Sequence, residues 1–207
     1  MDIEEFKSVV NAGTGLLKTN RFKLVIPGAA NMLDQAEVNR TLEFRCEAAT
    51  YPGFMLTNSD VRRWGYGPVE KRPFGPNFTQ LQCLFQNDTE STVWTFFHNW
   101  MSKILNHDVR SGIRSTANGA TPYTLSYKEE YSTDIHLFVY DEAGKEKLHL
   151  VCREAFPSQI VDLPLSWGDN NNLFKFQVGF EFVDWYLDDG TPGPLGVSVL
   201  NGTQTFT

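Results

Sequence analysis

Two periodicities divide the chain. Alternation of apolar and polar residues marks strands. Arg21-Phe-Lys-Leu-Val-Ile26 is halted by Pro27-Gly28, and Thr41–Cys46 sets Leu42, Phe44 and Cys46 against Glu43, Arg45 and Glu47. Thr79–Phe85 sets Leu81, Cys83 and Phe85 against Gln80 and Gln82. A hairpin is expected where Asp134–Tyr140 and Glu146–Arg153 flank Glu142-Ala-Gly-Lys145. The strongest alternation comes last, with Phe174, Phe176, Val178, Phe180 and Phe182 on one side and Lys175, Gln177 and Glu181 on the other. Period-2 patterns of this kind belong to antiparallel sheets with one wet face.

One segment has the helical period instead. Val93, Phe96, Phe97, Trp100, Met101, Ile104 and Leu105 form an i, i+3, i+4, i+7 stripe, and Asp88 or Thr89 can cap a helix over Thr89–Leu105. A single amphipathic helix among strands must lie against a sheet. Residues 2–10 carry a capping box, Asp2 with Glu5, and predict a short helix or turn. Residues 52–77 are punctuated by Gly and Pro and predict a long hairpin with its tip near Asn58-Ser59-Asp60. Residues 106–120 are a polar loop, and residues 188–207 lack any basic residue and end the chain as an arm. The expected division is an arm over 1–20, a β-sandwich domain over 21–187 and a flexible arm over 188–207.

Composition sharpens this picture. Of 207 residues 14% are aromatic, 16 of them Phe, which suits pleated, half-buried surfaces. The net charge of −7 argues against a nucleic-acid grip, which needs clustered Lys and Arg. Met1–Glu5 has neither the basic nor the apolar region of a signal peptide, and no apolar run approaches the ~20 residues of a membrane span, so no membrane anchor and folding in a cytoplasm are expected. Cys46, Cys83 and Cys152, odd in number and widely spaced, are expected as reduced core thiols.

Signatures of catalysis are missing: no phosphate-binding glycine loop, no His-Glu-x-x-His pair, no nucleophile elbow and no Cys-x-x-Cys. The chain is expected not to be an enzyme and to need no cofactor or metal. His98, His107, His136 and His149 are scattered. The last two can face each other across the hairpin, where solvent-facing cross-strand histidines explain them without a metal. Gly168–Asn172 offers oxygens to calcium but equally makes a polar turn. The Asn-x-Thr sites at Asn39, Asn77, Asn87 and Asn201 are expected to serve turns rather than glycans. Trp64, Trp94, Trp100, Trp167 and Trp185 could stack sugars, but the positions of Trp100, Trp167 and Trp185 favour core or subunit interface.

Residues 155–186 carry a specific order: Phe156-Pro157-Ser158-Gln159, Ile160-Val161-Asp162, Leu163-Pro164-Leu165-Ser166-Trp167, Asp169-Asn170-Asn171, then an alternating strand ending in Asp184-Trp185-Tyr186. This resembles the C-terminal half of tube proteins of contractile-tailed, myovirus-type bacteriophages. The Arg21–Ile26 strand and Cys46-Glu-Ala-Ala-Thr-Tyr-Pro-Gly53 are also similar to that family. The resemblance implies a mainly β fold, with two packed antiparallel sheets forming a barrel-like sandwich and one flanking α-helix. It further implies a structural virion protein whose hexameric rings stack into a tube, with their inner strands merged into one barrel that conducts the genome during ejection. The implied partners are a sheath outside, baseplate and tail terminator proteins at the ends, and genomic DNA passing without specific binding. The implied location is the virion tail, assembled in the host cytoplasm. A baseplate tube initiator of the same fold, or a carbohydrate-binding sandwich, are the alternatives. Ring-to-ring contacts are expected at Asn58, Ser59 and Asp60 and in both arms. From the total charge the channel wall is expected to be polar and predominantly negative.

Overall fold

The computed structural model describes residues 3, 17–27, 36–62, 65–105, 124–163, 166, 168 and 172–188. Nine strands alternate with short helical segments: β1 (Phe22–Val25), α1 (Ala36–Arg45), β2 (Cys46–Ala49), β3 (Phe54–Val61), β4 (Glu70–Phe78), β5 (Leu81–Gln86), α2 (Thr92–Ile104), α3 (Lys128–Tyr131), β6 (Thr133–Tyr140), β7 (Glu146–Ile160), β8 (Lys175–Glu181) and β9 (Asp184–Leu187). The main sheet has the order β1-β6-β7-β8-β5-β2, with β9 also on β7, and every pairing in it is antiparallel.

The two layers of the sandwich are halves of this one sheet, joined at a bend in β7. That strand runs 15 residues. Its first part pairs with β6 and β9 (Cys152 opposite Ile135 and Trp185), and its last part, Phe156–Ile160, pairs with β8. Strands β8 and β9 keep one register against β7, with Glu181 opposite Phe156 and Asp184 opposite Arg153. They are one antiparallel partner broken only at Phe182-Val183. At the same level β7 carries Glu154 with φ 51, a left-handed conformation disfavoured for a residue with a Cβ. Its amide donates to Asp134 Oδ1 at 2.9 Å, and Val183 N donates to Arg153 O at 3.1 Å. A bulge here turns both strands from one layer to the other. Arg153 grips Asp184 across the bend, Nε to Oδ1 at 2.6 Å with a second bond between its Nη2 and Oδ2. Layer I is therefore β1, β6, the start of β7 and β9; layer II is the end of β7, β8, β5 and β2.

Between the layers lies one core. Leu24, Ile135, Leu137, Leu150 and Cys152 come from layer I, and Leu81, Cys83, Phe85, Phe176, Val178 and Phe180 from layer II. Helix α2 inserts its expected stripe here. Phe97 lies 4.8 Å from the Phe85 ring and 5.9 Å from that of Phe180, and Trp100 lies 6.1 Å from Phe180. The Trp100 indole donates to Tyr131 O at 2.8 Å, so the one large polar atom this stripe buries is satisfied. The helix starts at Thr92 and not at Thr89, with Ser91 at its N-cap, and Asp88 Oδ1 accepts from Thr92 N at 2.7 Å from before that position.

Two expectations fail. Thr41–Arg45 is the end of helix α1, and the strand begins only at Cys46. Leu42 is buried while Phe44 is 75% exposed, which no shared strand face allows. Residues two apart on a helix lie ~200° apart, so the helix separates them. Arg40 covers the Phe44 ring from one turn back, at 5.9 Å. The long hairpin exists, but Asn58-Ser59-Asp60 is not its tip. All three sit within β3, opposite Pro73, Arg72 and Lys71, and the connection spans residues 62–69. Apart from Ile3, the segment 2–10 lies outside the described residues, as do the loop 106–120, Trp64, Trp167, the turn 169–171 and the arm after Asp188.

Candidate assembly surfaces

The β3–β4 hairpin stands off the sandwich. Its base is clamped: Thr79 N donates to Gly53 O at 3.0 Å, and Gly53 N donates to Thr79 Oγ1 at 2.8 Å. Aromatic rings hold it from beneath, with Phe54 at 5.9 Å from Trp185 and Phe78 at 6.2 Å from Phe182. Beyond that base neither face is covered by the described residues of the subunit. Leu56 is 51% exposed, Met55 61% and Phe74 72%. The register shifts between Thr57 and Asn58, whose partners are Gly75 and Pro73, leaving Phe74 as the extra residue of a bulge. Pro73 and Pro76 lack amide donors, which weakens this hairpin as a template for unlimited strand addition. Exposed apolar side chains grouped in this way are the mark of a protein-contact candidate. Asn58, Ser59 and Asp60 lie in this same hairpin, within β3 beside Phe54, Met55 and Leu56.

Layer II presents its other surface opposite α2, and that surface is rich in carboxamides, with Leu84 among them. Gln177 Nε2 donates to Gln82 Oε1 at 2.9 Å, Gln80 Nε2 to Ser158 Oγ at 2.6 Å, and Gln159 Nε2 to Gln80 Oε1 at 3.2 Å. At one end Gln86 Nε2 donates to Glu47 Oε2 at 3.0 Å, and Lys175 Nζ reaches Glu47 at 2.7 Å. Those two bonds, from Lys175 first, hold the Glu47 carboxyl below its ordinary range. Gly179 lies under the Gln80 amide, where an added Cβ would come within 2.6 Å of Nε2. Gly179→Ala is expected to displace the Gln80 side chain and cost about 1 kcal/mol, the net worth of such hydrogen bonds. In a background already carrying Gln80→Ala it should cost almost nothing, and urea unfolding of the four proteins in that cycle measures the difference.

On the outward side of layer I, His136 Nδ1 and His149 Nε2 are 2.9 Å apart. They face each other as the sequence suggested, but they are not solvent-facing: His149 is only 6% exposed, stacked on Phe138 at 4.1 Å. Glu146 and Asp188 approach its Nδ1 at 3.8 and 3.5 Å. Burial, reinforced by His149, pushes the His136 pKa below its usual 6.5, against the opposing pull of Asp134 and Asp188. Folded His136 thus holds its proton less tightly than the unfolded chain does. Its contribution to stability is complete above about pH 6.5 and is lost as pH falls through the lower folded value. His136→Gln is expected to flatten the loss of stability between about pH 7 and pH 5, read from urea midpoints.

Burial pushes the Cys152 thiol up to about 12, and a hydrogen bond with Cys46 followed by burial raises that of Cys83 well above its ordinary value. Among the described residues no group of three or more His, Cys, Asp or Glu could hold a metal ion. Trp100 is sealed in the core, Trp185 packs under the hairpin and Trp94 stacks on His98 at 5.1 Å, so the described tryptophans do not form a sugar-stacking platform. Asn87 serves its turn, bonding Ser91 Oγ at 3.2 Å and Trp94 N at 3.3 Å.

A family model described as phage tail tube protein matches residues 17–188. No curated protein sequence matches the chain. Among solved structures, a chain of the anti-feeding prophage baseplate is similar over 84% of this chain and 96% of its own, with 10% identity and a TM-score of 0.58. A chain of the sheath-tube complex of an extracellular contractile injection system, PVC, is similar over 90% of this chain and 97% of its own, at 11% identity and a TM-score of 0.55. A chain of the anti-feeding prophage tube-terminating cap covers 83% of this chain and 90% of its own, at 12% identity and a TM-score of 0.55. At such identities these likenesses establish a common fold.

Proposed function

The chain belongs to the phage tail tube protein family, and from that premise we propose that it is the tube subunit of a contractile tail, forming hexameric rings that stack into a conduit for the genome. The observation that carries the reading is the hairpin, which exposes apolar side chains on both faces that no described part of its own subunit covers. A lone soluble domain has no use for such a surface, whereas a second copy seated on it removes it from water. The open strand edges fit as well. In layer II, among the described residues, β2 pairs only with β5 and residues 156–160 of β7 pair only with β8, so both outer edges can receive a neighbour and close a ring.

In this reading residues 21–187 are the ring-forming domain, and the arms 1–20 and 188–207 join the hairpin, including Asn58, Ser59 and Asp60, in contacts between rings. A sheath surrounds the tube, and baseplate and terminator proteins close its ends. Its role is mechanical and not catalytic, in keeping with a Cys152 thiol held protonated by burial and a Cys83 thiol held so by its hydrogen bond with Cys46 and by burial. Negative-stain microscopy of the purified full chain, with sedimentation over a concentration series, tests the proposal. Rings and tubes are expected; a monomer persisting at the highest concentration would sink it.

A further inference from the structure

We propose that the carboxamide face of layer II lines the channel, and that it does so as a nearly neutral wall of amides bonded to one another. This deepens the tube reading and depends on it. Five of the chain's seven glutamines (Gln80, Gln82, Gln86, Gln159 and Gln177) share this face. Alternation alone does not require amides there: Lys, Glu, Thr or Ser would serve equally on any wet strand face. What glutamine adds is a neutral group that can donate and accept at once, so neighbours satisfy each other. The Gln82–Gln177 and Gln80–Ser158–Gln159 bonds do this within one subunit.

Charge on the face is small. Its cation, Lys175, is held by Glu47 at 2.7 Å, and by alternation Glu181 is the carboxylate left over. One excess negative charge on this face contrasts with −7 for the whole chain, so most of the acidity lies elsewhere. The predominantly negative wall expected from total charge therefore gives way, on this face, to amides.

The alternative wall is the outward side of layer I, which suits a wet channel less well. There Phe138 stacks on both His136, at 6.2 Å, and His149, at 4.1 Å. Layer II, by contrast, keeps Leu81, Cys83, Phe85, Phe176, Val178, Phe180 and α2 on the opposite side, with Leu84, opposite Gln177, as an apolar residue among the amides, so a channel along its amide face places α2 outward.

The physical consequence concerns a moving polyanion. A wall of free Lys or Arg would bind DNA phosphates by releasing counter-ions and hold the duplex in place. A densely acidic wall would repel the duplex, but it would also set like charges of adjacent subunits against each other around the ring. A neutral wall whose amides bond one another does neither, and leaves the duplex its own hydration.

Two measurements on assembled tubes of the full chain test this. In the first, Gln177→Cys and, separately, Gln82→Cys are labelled with an undecagold maleimide, and wild type treated identically reports any labelling of native cysteines. Gold density on the tube axis is expected in averaged electron micrographs. Density on the outer surface or between rings would overturn the lumen assignment; Glu181→Cys, on the exposed end of the same face, replaces either variant that fails to fold. In the second, Gln82→Lys/Gln177→Lys tubes are compared with wild type for retention of short duplex DNA. Retention should rise at least ~10-fold at about 50 mM salt, and the difference should vanish near 0.5 M. Equal retention by both tubes would overturn the neutral wall while leaving the tube reading intact. Failure of the wild-type chain to form tubes at all would remove that reading, and this inference with it.

Discussion

Phe97→Ala should destabilise the subunit by about 3–5 kcal/mol, the range for truncating a buried aromatic side chain. Its ring is fully buried at the centre of an aromatic cluster, with centroids at 4.8 Å to Phe85, 5.0 Å to Phe96, 5.9 Å to Phe180 and 6.1 Å to Phe176. Removing it opens a void that both α2 and layer II line, and neither can close on it without leaving its own packing. For a domain of this size the loss corresponds to a melting temperature lower by about 10 °C. Thr95→Ala, on the exposed side of the same helix, should change stability by less than about 0.5 kcal/mol. An unchanged melting temperature for Phe97→Ala would show that the α2 stripe does not face this sheet.

Where burial and periodicity agreed, the sequence was legible. The α2 stripe, the β6–β7 hairpin and the alternation at Phe176, Val178 and Phe180 were read correctly because one face of each is packed and the other wet. The strand expected at Thr41–Cys46 failed on a short sample: three alternating apolar positions fit a helix end equally well, and Ala36–Arg45 has no glycine or proline to interrupt it. The bend in β7 was invisible for a different reason. Pro157 lies inside β7, where its missing amide is tolerated because Phe156–Ile160 pairs among the described residues on one side only, with β8. The left-handed Glu154 carries no sequence mark, since its conformation is imposed by pairing on both sides of it.

The candidate surfaces were less legible than the fold. A contact surface between copies has the composition of an interior but the position of an exterior, and a single chain read alone shows only the first. Phe54, Met55 and Leu56 thus read as a short apolar piece, and attention went to the polar Asn58-Ser59-Asp60 beside it. The glutamines were noted only as the polar half of an alternation. Their bonding to one another depends on strands far apart in sequence, β5 with β8 and the end of β7, which no local pattern can register.

Leu56→Asp combined with Phe74→Asp is the change expected to separate folding from assembly most sharply. Neither side chain belongs to the core cluster, and Phe74 sits in a bulge with 72% of its surface in water, so the subunit should lose less than about 0.5 kcal/mol of stability. Buried against a neighbouring copy, each side chain would be worth about 1.5–3 kcal/mol, and a carboxylate in its place would face apolar surface without a partner. In a hexameric ring that loss recurs at every subunit of one ring-to-ring junction. Even about 2 kcal/mol per subunit then exceeds 10 kcal/mol per junction, enough to abolish stacking at any working concentration. Replacing Asn58, Ser59 and Asp60 together by Ala should act more weakly, because those polar groups exchange water for protein partners at little net gain. Circular dichroism melting tests that both variants stay folded, while sedimentation and negative-stain microscopy read assembly. Tubes of normal length from the double-Asp variant would show that the hairpin's apolar face is not the junction, and a stronger effect from the polar triple would move the contact to Asn58, Ser59 and Asp60.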